Sequence, residues 1–457
     1  MASTPASNES SSRTLVEGFA PDAIALARFL ALEGRDVTIA AAGPADDDVN
    51  GLAELGVTVV EHADLDTNPG EHHEAFLDVW TAEVAPRVER LRASGCRVRC
   101  LADLVLERAA VPAIGVTGTA GKTTTATYVA ALLRQSGAKV RFGTARAGNL
   151  WPTAELLTPS PDGLLVLELT SSHLCFMTAS PTVGVITSFW PDHLELHGSL
   201  ARYRAAKETI ARHQTAAAAM VVNADDVEAT AIGRLSPGQL VSFSASTEVE
   251  RGAFRVGDRL VLRDGGEDTV LSLPRGLDGP RLLALLAAAA TTVAVGRSPT
   301  ELGELPQPPF RARVVGRRGA TALVDDGLAA TPAKAAATLR GLADESVVLV
   351  VGGEREIEGR AVHASPEEIA LLEEACIEVS RAARLVVCFG SAAGRLAPML
   401  PRNRRLVVET LGQAIDAAGR SLRAGDAALV VSPMFPIPQA DRERIAEALS
   451  AAARVMP

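Results

Sequence analysis

Residues 115–125 read Gly-Val-Thr-Gly-Thr-Ala-Gly-Lys-Thr-Thr-Thr, and no other stretch constrains the fold so tightly. An apolar segment, Val111 to Ile114, precedes it, and a helix-favouring segment, Ala126 to Leu133, follows. Strand, glycine loop, lysine, hydroxyl and helix is the order that holds a nucleoside triphosphate. Glycine lets the backbone approach phosphate, and the N–H groups at the start of the helix point at it. On this pattern Gly118, Thr119, Gly121 and Thr124 cradle the phosphates of ATP, Lys122 reaches the β/γ oxygens, and Thr123 ligates Mg²⁺. The spacing is TGTxGKTTT rather than GxxxxGK[ST], since Val116 stands where the first glycine should be. Such a loop belongs at the carboxyl end of a strand in an open parallel sheet.

The chain has 457 residues, too many for one core, and 47% are apolar. We expect an α/β protein of three domains: N-terminal Rossmann-like, central P-loop-type parallel sheet and C-terminal Rossmann-like. The expected divisions are a disordered, serine-rich tail over 1–13, then domains over 14–110, 111–303 and 304–457. Gly296 to Pro309, rich in proline, reads as the linker. In the first domain only Gly18 follows the first expected strand, so the dinucleotide pattern GxGxxG is not matched. A net charge of −10 argues against general affinity for nucleic acid or anionic membranes. No charge-free apolar run is long enough to span a membrane, Ala-rich helical segments aside. The five cysteines are sparse and odd in number, as for free thiols in a reducing cytoplasm. A cytoplasmic monomer acting on small molecules is the expectation.

Several residues could do chemistry. Glu168 ends an apolar strand, and three hydroxyl residues, Thr170 to Ser172, follow closely. A carboxylate there suits Mg²⁺ held against a γ-phosphate, with a helix-capping acid as the lesser alternative. His193 lies in a Pro-Asp-His turn and, taken alone, reads as structural. Lys207 and Arg311 are, by residue type, ordinary surface cations. Asp46 to Asp48 and the His72–His73 pair read as solvated loop residues.

Longer motifs add to this reading. Leu165 to Leu174, Ser188 to Ser199 (Ser-Phe-Trp-Pro-Asp-His-Leu-Glu-Leu-His-Gly-Ser), Tyr203 to Lys207 and Val222 to Asp226 follow the phosphate loop in order. Together they resemble the Mur ligases, which join a carboxylate to an amine at the expense of ATP. Order and spacing look most like the D-glutamate-adding branch. The likeness is strong from 110 to 230, fair from 305 to 457 and weak before 110. It implies that Lys122, Glu168, His193 and Lys207 are catalytic, and that Thr123, Glu168, His193 and a carbamylated Lys207 hold Mg²⁺. It implies that Arg311 reaches ATP across a domain gap, a task suited to a permanently charged fork. Asp326, in the Asp325 to Pro332 loop, would lie near the ATP ribose or the incoming amino acid. Asn149, in Gly148-Asn149-Leu150, and Ser171 would face the acceptor acid, with the first domain holding a UDP moiety.

The chain also departs from the family pattern. Ser188 replaces an asparagine, and Leu277 to Arg281 lacks the His-Asn-x-x-Asn found near adenine. Gly327 and Ala330 stand where serine and threonine are expected, and Leu328 where some members have a lysine. Gly352 to Ile357 lacks the Asp-Lys/Arg-Gly sequence, and Ser432 to Ile437 lacks a second serine. A buried carboxylate needs cations or donors, so the D-glutamate pocket is altered, with Arg355 or Arg360 as candidates to compensate. Three readings follow: a Mur-type ligase adding D-glutamate, a paralogue joining an amine to a different acid, or a degenerate nucleotide-binding protein. Lys122, Glu168, His193 and Lys207 together argue against the third.

Overall fold

The computed structural model describes residues 13–18, 21–41, 51–61, 72–77, 84–144, 151–274, 277, 279–308, 311–340, 346–357 and 359–454. Their strands form sheets of five, nine and six strands and one two-stranded hairpin. The first sheet contains β1 (Thr14–Glu17), β2 (Val37–Ala41), β3 (Thr58–Glu61), β4 (Glu74–Leu77) and β5 (Arg97–Arg99). All pair in parallel, in the order β3-β2-β1-β4-β5.

The second sheet contains β6 (Ala113–Thr117), β7 (Val140–Gly143), β8 (Leu164–Glu168), β9 (Val183–Ile186), β10 (Ala219–Asn223), β11 (Gln239–Ser244), β12 (Gly252–Val256), β13 (Arg259–Asp264) and β14 (Glu267–Ser272). Its order is β14-β13-β12-β11-β10-β9-β6-β8-β7. β6 therefore lies between β8 and β9, all parallel, and every one of its residues is buried. The chain leaves β6 for the phosphate loop, and the ends of β8 and β9 flank that loop. This is the crevice an open sheet offers where its strand order reverses. β12 to β14 form an antiparallel meander that the sequence reading did not anticipate.

The third sheet contains β15 (Arg313–Arg318), β16 (Thr321–Asp325), β17 (Val347–Gly352), β20 (Ala383–Phe389), β21 (Arg405–Val407) and β22 (Ala428–Met434), in the order β15-β16-β22-β17-β20-β21. β18 (Glu356–Ile357) and β19 (Arg360–Ala361) form the separate hairpin. The expected α/β architecture with parallel sheets is present; only β15 pairs antiparallel in the third sheet.

α1 (Pro21–Leu32) packs on the first sheet, and five further helices surround the site: α2 (Lys122–Gln135), α3 (Ser171–Phe176), α4 (Leu200–Arg212), α5 (Gly279–Ala294) and α6 (Pro332–Leu339). In α5 the run Ala287 to Ala290 is fully buried. Side chains this small let neighbouring backbones approach closely. The next two residues would bury bare hydroxyls, but Thr291 and Thr292 donate to Ala287 O (2.7 Å) and Ala289 O (2.6 Å) within the helix. None of the described helices is long and apolar enough to cross a membrane.

Core packing is uneven between the three sheets. Leu15, Ile39 and Phe76 of the first sheet share one apolar cluster with Leu165, Leu167 and Met220 of the second. The third sheet buries its two faces in clusters drawn from its own residues, one around Leu349 and Val430 and one around Val350 and Leu429.

Candidate active site

Two glycines shape the phosphate loop. Gly118 has φ 143°, and a Cβ there would collide with Thr187 Oγ1 and lie 3.0 Å from Ser188 N. Gly121, with φ 84°, is the N-cap of α2. The backbone bond from Thr119 N to Ser188 O (2.9 Å) ties the loop to the end of β9. The first turn of α2, Lys122 to Thr124, leaves backbone N–H groups without intrahelical partners, as an anion site requires.

Lys122 lies folded back on this loop. Its Nζ donates to Gly118 O (3.0 Å) and Thr119 O (3.1 Å). Burial, and then the neighbouring charge of Lys334, hold its ammonium down to about 8. Lys207, on α4, is 1% exposed, and its Nζ donates to Thr117 Oγ1 (2.9 Å) and Gly118 O (3.0 Å). Burial, and then Lys122, push its pKa well below the ordinary range. By residue type alone this lysine reads as solvated; only the family motif singles it out. Thr119 contributes its hydroxyl to a contact with the Tyr203 hydroxyl (2.9 Å), one α4 turn before Lys207.

Thr123 and Glu168 meet directly. Thr123 Oγ1 donates to Glu168 Oε1 (2.7 Å), and Thr144 Oγ1 donates to Glu168 Oε2 (2.6 Å). Arg311 Nη2 donates to the same Thr123 oxygen (2.6 Å) across the gap from the third sheet. Burial lowers the Arg311 pKa, and Glu168 and Asp326 partly offset this. Glu168 does not cap α3. Thr170 does, accepting from His173 N (3.2 Å). The Thr123 hydroxyl and the Glu168 carboxylate are hard oxygen donors beside the phosphate loop. That fits Mg²⁺, which takes one or two carboxylates and completes its shell with phosphate and water. Among the described residues no group of three or more His, Cys, Asp and Glu is gathered as a metal set.

His193 stands in left-handed backbone, φ 54°, with its side chain 43% exposed. Its Nε2 lies 3.5 Å from Asp192 Oδ2 and its Nδ1 3.4 Å from Glu195 Oε1. Asp192 is buried; the cations around it, His193 first, outweigh burial and hold its carboxyl well below the usual range. Its Oδ2 also accepts from Lys334 Nζ of α6 (3.2 Å).

Asp326 is turned toward its own domain. Its Oδ1 accepts from Ala312 N (2.9 Å), and its Oδ2 accepts from Thr338 Oγ1 (2.8 Å) and Ser432 Oγ (3.0 Å). Burial raises its pKa to about 6. Ala312 has φ 47°, so this carboxylate fixes a strained residue next to Arg311. Ser171 is buried, with its Oγ 3.0 Å from His197 Nε2. Asn149 lies outside the described residues.

The structure thus brings Gly118, Thr119, Gly121, Lys122, Thr123, Thr124, Glu168, Lys207 and Arg311 around one loop. His193 sits one step away on the Asp192 turn, and Asp326 acts behind Arg311. The sequence reading passed over Thr144, Asp192, His197 and Lys334. Asp192 and His197 sit inside a motif already singled out; Thr144 and Lys334 carry no local signal. Beside Gly121 a cleft of about 530 Å³ opens, walled by Phe243, Leu282, Ala333 and Ala337, with Asn223 and Arg340 also lining it. Its size and mixed lining suit the base and sugar of a nucleotide.

The profile of the Mur ligase middle domain matches residues 116–274. The UDP-N-acetylmuramoylalanine–D-glutamate ligase of Roseiflexus sp. is 33% identical over 400 residues, covering 79% of this chain and 83% of the relative. The enzyme of that name from Symbiobacterium thermophilum is 31% identical over 358 residues, covering 75% and 77%. Among solved structures, MurF ligase from Thermotoga maritima in complex with ADP superposes with a TM-score of 0.59 at 18% identity, covering 92% of this chain and 95% of that one. A pseudomurein peptide ligase type C from Methanothermus fervidus gives 0.58 at 16% identity, covering 96% and 99%. These two likenesses concern the fold.

Proposed function

Because this chain belongs to the Mur ligase family, whose members are ATP-dependent, ADP-forming amide ligases, we propose that it adds D-glutamate to UDP-N-acetylmuramoyl-L-alanine through an acyl phosphate. The reaction class is carried by one observation, the Arg311–Thr123–Glu168 chain across the domain gap beside Lys122. The named substrates come from the relatives.

In this mechanism Lys122 leaves the Gly118 and Thr119 carbonyls for the phosphates, and the first turn of α2 donates backbone N–H groups. Thr123 and Glu168 would hold Mg²⁺, with His193 and a carbamylated Lys207 as further candidates. The ion supplies electrophilic stabilisation of the phosphoryl oxygens. An acceptor carboxylate oxygen bonds to the γ-phosphorus, the bond to the β-bridging oxygen breaks, and ADP departs with the electron pair. Arg311 offsets charge on the moving group. The amine nitrogen then bonds to the acyl carbon, the carbon–oxygen bond to phosphate breaks, and the amine loses a proton. Closure of the third domain keeps water from the acyl phosphate. Burial holds the Lys207 pKa well below the ordinary range and so favours the free amine, the form that attacks carbon dioxide.

A second reading, a paralogue with another amine or acid, is favoured by the third-domain loop. Ala329 O and Ala330 O are taken up by Met434 N (2.9 Å) and His363 Nε2 (3.0 Å), and Gly327 and Ala330 offer no side-chain donor. ATP-dependent phosphate release separates the readings. Release that needs both UDP-N-acetylmuramoyl-L-alanine and D-glutamate supports the first. ATP binding without release, over a panel of amino acids, supports the second.

A further inference from the structure

Lys334 approaches the site from the wall opposite the phosphate loop. It stands in the first turn of α6, on the third sheet's side of the gap. Its Nζ lies 3.2 Å from Asp192 Oδ2 on the central side, with side-chain exposures of 20% and 2%. Its charge is close enough to disfavour protonation of both Lys122 and Lys207. Those two lysines donate to one carbonyl, that of Gly118. Two lysines thus meet at Gly118, and Lys334, from a third helix, stands across the gap at Asp192. Like charges brought together raise one another's energy unless anions stand among them. Asp192 and Glu168 offset part of this charge, and a polyanion from outside is needed for the rest. The loop ahead of α6, Gly327 to Thr331, carries no cation, so Lys334 joins Arg311 as a positive charge that the third domain brings to this site.

We propose that Lys334 is a catalytic residue. When a nucleoside triphosphate binds, its ammonium leaves Asp192 and donates to the γ-phosphoryl oxygens. It offsets their charge while the acceptor oxygen bonds to phosphorus and the β-bridging oxygen leaves with ADP. Lys122 and the first turn of α2 serve the tail from the loop side. Lys334 sits instead beside the Asp192–His193 turn, so its partner is the outer phosphate. Asp192 holds the ammonium in place in the nucleotide-free protein. The assignment rests on the ligase reading above.

The test is equilibrium binding of full-length wild type, Lys334→Gln and Lys334→Arg, with Mg²⁺, to ADP and to a β,γ-imido ATP analogue. Loss of one charge-assisted hydrogen bond weakens binding by about tenfold or more. The expected result is that loss for the analogue alone in Lys334→Gln, ADP affinity kept within about twofold, and most analogue affinity kept in Lys334→Arg. Equal weakening toward both nucleotides would make Lys334 a domain latch and overturn the proposal, as would no weakening toward either. Wild-type protein that binds neither nucleotide overturns the ligase reading and this assignment together. Wild type that binds both, with Lys334→Gln indistinguishable from it, overturns this assignment alone.

Discussion

Replacing Glu168 by glutamine separates the fold from the metal. In the structure both Glu168 oxygens accept from threonine hydroxyls, Thr123 on one side and Thr144 on the other. Glutamine keeps the shape and one acceptor oxygen, and its amide donates to whichever hydroxyl faces it. A hydroxyl can turn to accept, so neither threonine is orphaned. The change in stability is then about 1 kcal/mol or less, the net worth of one neutral hydrogen bond. The lost charge has larger effects. Outer-shell partners of a metal are worth about 10–100-fold in affinity, so a ligating carboxylate is worth at least about a hundredfold, or about 3 kcal/mol. The Mg²⁺ concentration for half-maximal phosphate release should rise by that factor, with thermal unfolding almost unmoved. The Glu168 carboxylate also raises the Lys122 pKa toward its value of about 8. Its loss should move that titration lower, and ATP affinity should begin to fall at lower pH. A Glu168→Gln variant with the wild-type Mg²⁺ requirement would refute the assignment. A variant that loses folding stability in parallel with activity would refute the hydrogen-bond argument.

Further outcomes follow from the same site. Lys122 is depressed to about 8 when the loop is empty, so above that pH it carries a neutral amine that bound triphosphate will reprotonate. ATP binding should take up part of a proton at about pH 8–9 and none at about pH 6; calorimetry in buffers of different ionisation enthalpy reads this, and equal uptake at both pH values contradicts it. Lys207→Ala should lose turnover, with partial recovery in formate or acetate, and intact mass of the wild type should carry the carbamate; full activity in Lys207→Ala removes the role. Gly118→Ala forces a Cβ against Thr187 Oγ1 at φ 143°. That should cost about 1–3 kcal/mol in chemical denaturation and weaken ATP binding, and an unchanged midpoint speaks against the close approach.

The sequence shows some parts of this structure and hides others for physical reasons. The phosphate loop is legible because Gly118 and Gly121 are needed for backbone conformations that few other residues adopt. β8 and β9 are legible because strands buried on both faces read as unbroken apolar runs. The meander β12 to β14 was missed although Gly257 and the Gly265–Gly266 pair mark its turns. Its strands (GAFRV, RLVLRD and EDTVLS) hold at most three consecutive apolar residues, broken by charged ones, and lack the longer apolar runs that identify the parallel strands. Lys207 and Arg311 were ambiguous because burial of a cation is a tertiary property. Nothing local tells an interior lysine on α4 from a solvated one. Thr144 and Lys334 depend on pairings 24 and 142 positions away in the chain, with Glu168 and Asp192. Asp326 was placed near the ligand by motif, whereas its partners Ala312, Thr338 and Ser432 make it a brace for the strained residue beside Arg311.

The uneven core has a consequence for how such a chain can change its repertoire. The first two sheets share one apolar cluster, so altering the contact between them disturbs two interiors at once. The third keeps its interior to itself and reaches the site through Arg311 at Thr123 and Lys334 at Asp192. A graft joined near Ala312 that preserves those two side chains can import the third unit of a relative and still meet Thr123 and Asp192. The units that carry the phosphate loop are thereby kept as a block, while the third unit is exchangeable. An exchange at that junction leaves every residue of the phosphate loop unchanged.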